Sequence, residues 1–569
     1  MLKKDNLIRG TLILTVAALT ARVLGLFQRV PLDYMLGSQG MIAFTIANQV
    51  YMVLLIIATA GFPSAVSKMV SERYALGQPA EAKRIFHAAL AFGAITGVIL
   101  SATLFIVAPT WAKIADLPSA YLAIRAIAPA LLLFPIIAMM RGYFQGRQLM
   151  SAGGISQIVE QFMRVLLGLG LGLIVLDLGW GDDWAAAAVT FGSVFGSIGA
   201  FGVMIWFGRK LKRQDQMEQV KVKPRFNAEA SAALMMSSSS SKSVRNSTVN
   251  QGSKTKFRKI YREILAMSLP ALLTSMTVNL IYLFDTSFFK RLTSGFYTAE
   301  MSDIVQADYG IKAISLAGIP PILAIALGST IIPVISSAFS VNNMKEVQKQ
   351  ASLVMRIVCF TGVPVALLLA IASYSVTGLL FVSPSGSDVV ALLTIGTIVQ
   401  ITMMTTNSIL YGMSRSKTSM YHTATGLLLK VVISVATAPF IGIYGLILGS
   451  TICFIVITML NVRTINQIVT LRVLGKRWVP YLSAVAIAGL AGWLSERGVL
   501  LWTTNLPNKV SYFISASVTA AVVGALYVAL LFVFKVITAD DLHSFPNKLR
   551  KPLEKIMRIF TGNQKMRSK

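Results

Sequence analysis

Apolar runs of about twenty residues, separated by short polar loops, recur along the whole 569-residue chain. They fall at 8–28, 41–62, 85–108, 119–140, 154–176 and 184–207. After a polar stretch they resume at 264–289, 310–335, 351–373, 388–412, 419–439, 442–462, 479–495 and 510–534. A helix needs roughly 20 mostly apolar residues to cross a bilayer. The pattern therefore predicts an all-α polytopic membrane protein with about fourteen transmembrane helices. Pro439-Phe440-Ile441-Gly442 divides the eleventh run from the twelfth as a tight turn. Residues 208–262 form the one long break, with basic ends around a Ser-rich centre. That composition cannot bury a core and predicts a disordered cytoplasmic linker.

The runs on either side of the break resemble each other. Aligning Gly146 with Gly412 sets Arg164 opposite Lys430 and Val165 opposite Val431 without a gap. Ala60-Gly61-Phe62-Pro63 corresponds to Thr330-Ile331-Ile332-Pro333. The predicted organisation is a six-helix bundle (1–207), the linker (208–262), a second six-helix bundle (263–462), two additional helices (463–535) and a basic tail (536–569). Six spans per block is an even number, so the two bundles form a parallel pseudo-symmetric pair, an arrangement transporters use.

Composition agrees. Hydrophobic residues make up 55% and charged residues 13% of the chain, and mean hydropathy is +0.68, whereas a soluble domain carries about 25% charged residues. In a soluble chain a net charge of +29 would suggest nucleic acid. Here its placement explains it. With the N-terminus in the cytoplasm, inward loops hold Lys68, Arg73, Arg147, Lys345, Arg415 and Arg463, while outward loops hold Asp177, Asp182, Asp183, Glu300 and Asp303. Fourteen spans return the basic tail to the cytoplasm, so both termini are predicted there. Cys359 and Cys453 lie inside apolar runs and read as small hydrophobes. His87, His422 and His543 have no ligand spacing, and there is no GxxxxGK[ST] loop, so neither a metal site, a cofactor nor an intrinsic enzyme is expected.

The chemistry lies in polar stripes inside the spans. In GGISQIVEQFMRVLLGLGLGLIVL (153–176), Gln157, Glu160, Gln161 and Arg164 are spaced i, i+3, i+4, i+7 and share one helix face with Gly168 and Gly172. A charge at mid-bilayer costs roughly 2.5–3.5 kcal/mol on insertion scales. This face must meet other helices or water: either it lines a cavity, or Glu160 and Arg164 form an i, i+4 ion pair. Arg22 and Arg29 extend a similar stripe on the first span, and Ser275, Asn279 and Tyr282 lead to Asp285 on the seventh. Arg22, Arg164 and Lys430 are predicted to face a shared cationic cavity suited to an anionic ligand. Asp285 is either a coupling-ion site or a partner for one of the cations, and Lys312 sits near the outer interface. Arg125 and Arg356, nearer their span ends, are expected to snorkel.

With these residues in view, the chain resembles the MOP exporter superfamily, specifically its polysaccharide-export branch and the YtgP/SpoVB-type group that includes MurJ-type lipid II flippases. The stretches that carry the likeness are ARVLGLFQRVPL (21–32), AGFPSAVSKMVSERYALG (60–77), MRGYFQGRQLMSAGGISQIVEQFMRVL (140–166) and YGMSRSK (411–417). The resemblance implies alternating-access movement of a lipid-diphosphate-linked glycan between leaflets. It places the diphosphate on Arg22, Arg164 and Lys430, with Arg29, Lys312, Glu160 and Asp285 around them. It also implies membrane lipids as partners and drive from the membrane potential or a monovalent cation. The chain departs from the family pattern at Ile42 to Leu55, which contains no acid and no arginine. Competing readings are another undecaprenyl-linked or sporulation-specific cargo, a cation-coupled drug exporter, and a non-transporting scaffold.

Overall fold

A computed structural model describes residues 7–59, 62–236 and 257–537. Gly61, residues 237–256 and the basic tail lie outside the described residues, as does the side chain of Arg22. The first block contains α1 (Leu7–Met35), α2 (Ser38–Thr59), α3 (Phe62–Ala75), α4 (Pro79–Ile114), α5 (Ala120–Ile127), α6 (Ala130–Gly146), α7 (Met150–Asp177) and α8 (Asp182–Met236). The second contains α9 (Phe257–Thr293), α10 (Ala299–Asp308), a π-helical turn (Tyr309–Ala313), α11 (Ile314–Ala317), α12 (Pro321–Ser340), α13 (Met344–Ile371), α14 (Ser373–Leu380), α15 (Ser387–Gly412), α16 (Ser416–Ile441) and α17 (Ile443–Ile468). Two helices close the chain, α18 (Trp478–Trp502) and α19 (Asn508–Val533).

Among the described residues, twelve helical segments are long and apolar enough to cross a membrane. The other two predicted runs, 8–28 and 310–335, fall on α1 and on the region from the π-helical turn to α12. The second of these is not one helix. Pro320 and Pro321 lack the backbone N–H a continuous helix needs, so the chain breaks after Ala317 and restarts at Pro321. The predicted turn at 439–442 is present: Gly442, at φ +60°, joins α16 to α17 and packs under Tyr297.

The predicted linker is shorter at both ends than 208–262. Helix α8 runs on to Met236 and α9 begins at Phe257. Part of the cause is an anchor: Arg147, at the end of α6, makes a bidentate ion pair with Asp215 of α8 at 2.8 Å for each arm. The Arg147 guanidinium also lies 4.8 Å over the Tyr74 ring.

Packing repeats between the blocks. Helix α1 lies on α7 as α9 lies on α16; α7 pairs with α8 as α16 pairs with α17; and α3, α4 and α6 cluster as α12, α13 and α15 do. Helices α18 and α19 fall outside the repeat, packing on each other and on α13 and α14. Large apolar side chains such as Ile106, Leu428, Val432 and Leu490 point outward, where lipid would cover them. Met35, Ile114, Asp177, Thr293, Leu380, Ile441 and Trp502 end helices on one face of the bundle, called distal below.

Candidate functional site

Small residues bring α7 and α8 together. A Cβ on Gly192 would lie 2.5 Å from the Gly168 Cα, and one on Gly168 would lie 2.8 Å from the Val189 carbonyl. This close pairing turns Arg164 toward the interior, where it is 9% exposed. Its guanidinium donates to Asn48 Oδ1 on α2 at 2.7 Å and lies 5.8 Å from the centre of the Tyr51 ring. It does not pair with Glu160. That carboxylate turns away to Arg141 on α6 at 2.7 Å, and Arg141 also binds Ser156 Oγ at 2.8 Å. The i, i+4 ion pair is thus replaced by a longer-range one, because α6 continues past the predicted span end at 140 and carries Arg141 alongside α7.

Arg29 on α1 lies within electrostatic reach of Arg164. It donates to the Gly310 carbonyl at 2.9 Å and to Ser315 Oγ at 3.1 Å, spanning from the first block to the π-helical turn of the second. Only glycine fits at position 310, since a Cβ there would lie 2.6 Å from Thr45 Oγ1. Among the described residues, neither Arg29 nor Arg164 has a carboxylate partner. Around them, Gln28 Nε2, Thr45 Oγ1, Gln49 Oε1, Tyr51 OH and Ser193 Oγ are buried with no hydrogen-bond partner among the described residues. Two cations and several unsatisfied polar groups in an apolar surround are costly unless something complements them. Arg22 lies two turns earlier on the same helix, but its side chain is outside the described residues.

Lys430 does not join this group. It is 1% exposed, and its ammonium binds Asp285 Oδ1 at 2.5 Å, the Leu446 carbonyl at 2.7 Å and Ser434 Oγ at 2.9 Å. Asp285 Oδ2 in turn accepts from Tyr309 OH at 3.0 Å and Ser450 Oγ at 3.3 Å. All three ammonium donors are used. The expected shared chamber with Arg164 is therefore corrected: Lys430 is sealed in a dry, neutral cluster, and Asp285 is its partner.

Lys312 is also paired. It meets Asp308 across the π-helical turn at 2.8 Å and Ser385 Oγ at 2.9 Å. This places it in a seam on the distal face. There Asp33 of α1 accepts from the Val382 N–H at 2.7 Å, Arg291 pairs with Asp116 at 3.0 Å, and Trp111 Nε1 donates to Ser287 Oγ at 3.1 Å. Gln39 bonds to Asp303, which pairs with Lys290 at 2.7 Å. These bonds tie the two blocks together on the distal side.

Residues 7–339 match the family described as "Polysaccharide biosynthesis protein". The chain belongs to that family. Among curated relatives, it is 25% identical to "Lipid II flippase MurJ" of Bacillus subtilis (strain 168), over 92% of this chain and 94% of that protein. It is 22% identical to "Stage V sporulation protein B" of the same organism, over 95% and 98%. Its fold is similar to a solved lipid II flippase MurJ in an inward closed conformation (TM-score 0.62, 11% identity, 92% of this chain and 98% of that one). It is also similar to an inward-facing multidrug MATE transporter of the MOP superfamily (TM-score 0.59, 14% identity, 79% and 95%). The polytopic MOP fold expected from the sequence is thus shown.

Sequence reasoning missed several residues of this family member's interior. Asn48 is uncharged within the stretch 42–55, which contains no acid and no arginine, and its amide is what holds Arg164. Glu496 is 4% exposed, yet the apolar run was ended at 495, one residue short of it. Lys509 lies just before the last predicted run, in the first turn of α19, and binds the carbonyls of Gly378 and Phe381 at the end of α14.

Proposed function

We propose that this protein is a flippase for a lipid-linked cell-wall precursor, with lipid II the preferred cargo, moving it from the inner to the outer leaflet by alternating access. The observation that carries the reading is the pair of interior arginines, Arg29 and Arg164, facing only neutral oxygens among the described residues. A diphosphate would supply the missing negative charge through charge-assisted bonds. The name of one relative, the lipid II flippase MurJ of Bacillus subtilis, supports the same class of cargo.

In this reading residues 1–207 and 263–462 are two bodies that rock against each other, joined through 208–262. Helices α18 and α19 ride on the second body. Both termini are cytoplasmic, so the distal face is the outer one, and its seam keeps the outer side closed while cargo enters from within. Opening that seam requires Asp33, Arg291 and Gln39 to release their partners. Arg22 joins Arg29 and Arg164 at the diphosphate, whereas Lys430 does not. Two uncompensated cations that move during reorientation also couple it to the membrane potential, at roughly 2.3 kcal/mol per charge per 100 mV.

The test replaces Arg29 and Arg164 with Gln, singly and together, in cells depleted of the native protein. Lipid II exposed on the outer surface is the readout. Loss of exposure with normal amounts of folded protein supports the reading, and full exposure in the double variant removes it. Cargo is assigned separately, by which lipid-linked intermediate accumulates on the cytoplasmic leaflet during depletion; an undecaprenyl-linked unit other than lipid II would keep the mechanism and change the substrate.

A further inference from the structure

Away from the arginines, a groove of about 710 Å³ opens between α13, α14, the start of α15, the end of α18 and the start of α19. Its volume lies in the range of ligand sites, roughly 300–1,000 Å³. One part of the wall is apolar, with Leu367, Ile371 and Ile395; the other carries Asp388, Glu496 and Arg497, with Tyr374, Tyr512 and Trp493 beside them.

Glu496 is the unusual member. It is 4% exposed, and Ser375 donates to its Oε1 from the backbone N–H at 3.1 Å and from Oγ at 2.7 Å. Both bonds go to one oxygen, which leaves Oε2 to the groove. That oxygen is accessible from the groove and has no donor among the described residues, so it is open to a donor that enters there. The neighbouring cation does not serve it: Arg497 is exposed and stacks 5.9 Å from the Trp493 ring centre. Asp388, at the mouth of the same groove, accepts from Tyr444 OH through Oδ2.

We propose that this groove holds an aminophospholipid of the outer leaflet. Its primary ammonium lies between Glu496 and Asp388, its phosphate meets Arg497, and one acyl chain runs along Leu367, Ile371 and Ile395. Charge selects this occupant. Two carboxylates against one arginine disfavour a purely anionic headgroup, which excludes an isoprenoid diphosphate and so separates this site from the cargo site. A quaternary choline has no N–H to give Oε2, whereas a primary ammonium offers three. Aromatic residues flanking the groove are the type enriched at membrane interfaces, where amphipathic rings sit at headgroup level.

The experiment uses the purified full-length chain in mild detergent, incubated with equal amounts of phosphatidylethanolamine, phosphatidylglycerol and phosphatidylcholine. Retained lipid is read by native mass spectrometry. The ethanolamine lipid is expected at about tenfold preference, equal to roughly 1.4 kcal/mol. Glu496→Gln with Asp388→Asn abolishes that preference, and Ile395→Trp lowers retention of all three lipids by filling the apolar part. Arg497→Gln, at an exposed position that does not threaten folding, weakens retention of the ethanolamine lipid by itself. Equal retention of the three lipids by the unaltered protein overturns the proposal. So does a preference that survives Glu496→Gln with Asp388→Asn, retention that neither Arg497→Gln nor Ile395→Trp lowers, or displacement of the ethanolamine lipid by an isoprenoid diphosphate.

Discussion

Helices α7 and α16 hold matching places in the two blocks and carry a cation at the same register, but Arg164 and Lys430 live in opposite surroundings. Facing Lys430 is Asp285 on α9, together with Ser434 and the Leu446 carbonyl, and the cluster is neutral and saturated. Facing Arg164 is Asn48, an amide that accepts one bond and brings no charge. Nearby Gln28 and Gln49 keep buried atoms without partners among the described residues. One block uses its cation to hold three helices together; the other leaves its cation facing an amide, with no carboxylate partner among the described residues. Register in a repeat predicts where a charge will be, and the residue opposite decides what the charge does.

The sharpest way to break this contrast is to remove the carboxylate. Asp285→Ala strands Lys430 in a dry interior, and breaking one side of a buried pair costs about 3–5 kcal/mol. The thermal unfolding midpoint of the purified protein should fall accordingly. The paired replacement Asp285→Leu with Lys430→Met should recover wild-type stability or exceed it, by up to about 4 kcal/mol, and retain lipid export. Loss of export in a stable double variant would return Lys430 to the transport site.

The next effect is functional. Arg164→Met removes one bond to Asn48 but also a buried charge that no carboxylate among the described residues neutralises, so stability should hold or rise. Export should drop by at least about tenfold, the loss expected when a hydrogen bond to a charged group, worth about 1.5–3 kcal/mol, is removed from the cargo. Reconstituted vesicles reporting leaflet exchange of the labelled lipid check this directly. Unfolding of this variant, with stability losses like those of Asp285→Ala, would make Arg164 a second structural cation.

Helix packing yields a smaller and purely steric contrast. Gly192→Ala drives a Cβ to 2.5 Å from the Gly168 Cα, which is backbone and cannot rotate away. At the equivalent contact of the second block, a Cβ on Gly449 would meet Ser434 Oγ at 2.5 Å, a hydroxyl that turns away only by releasing the Lys430 ammonium. Overpacking therefore costs about 1–3 kcal/mol at Gly192, whereas at Gly449 the cost is that one hydrogen bond and falls away in the Asp285→Leu, Lys430→Met background, measured again as unfolding midpoints. Equal losses would mean that α8 and α17 are seated with the same tolerance.

Much of this architecture was legible because apolar length is a strong signal: the runs, the turn at Gly442 and the repeat that aligns Arg164 with Lys430 all follow from it. The stripe Gln157, Glu160, Gln161 and Arg164 likewise marked α7 as inward-facing. What hydropathy does not encode is which polar groups meet. Arg141 lies just past the apolar run that stops at 140, yet the helix continues to Gly146 and delivers it to Glu160. The break at Pro320-Pro321 was hidden inside a run apolar enough to span. Asn48 carries no charge and stood out in no pattern, yet it sets the environment of Arg164.

Glu160 provides the finest probe of the difference between the blocks. It sits one turn from Arg164 and is the nearest acid along α7, so it is the residue best placed to do for Arg164 what Asp285 does for Lys430. The structure turns it to Arg141 instead, with both side chains about one-sixth exposed, at 16% and 15%. A pair in that setting contributes about 1 kcal/mol or less, and Arg141 keeps Ser156 as a partner when the acid is gone. Glu160→Gln should therefore lower the unfolding midpoint slightly and leave export close to wild type, in clear separation from Arg164→Met. If Glu160→Gln instead abolished export while the fold held, Arg164 would be answering to a carboxylate during transport, and its openness to an anionic cargo would be lost as an explanation.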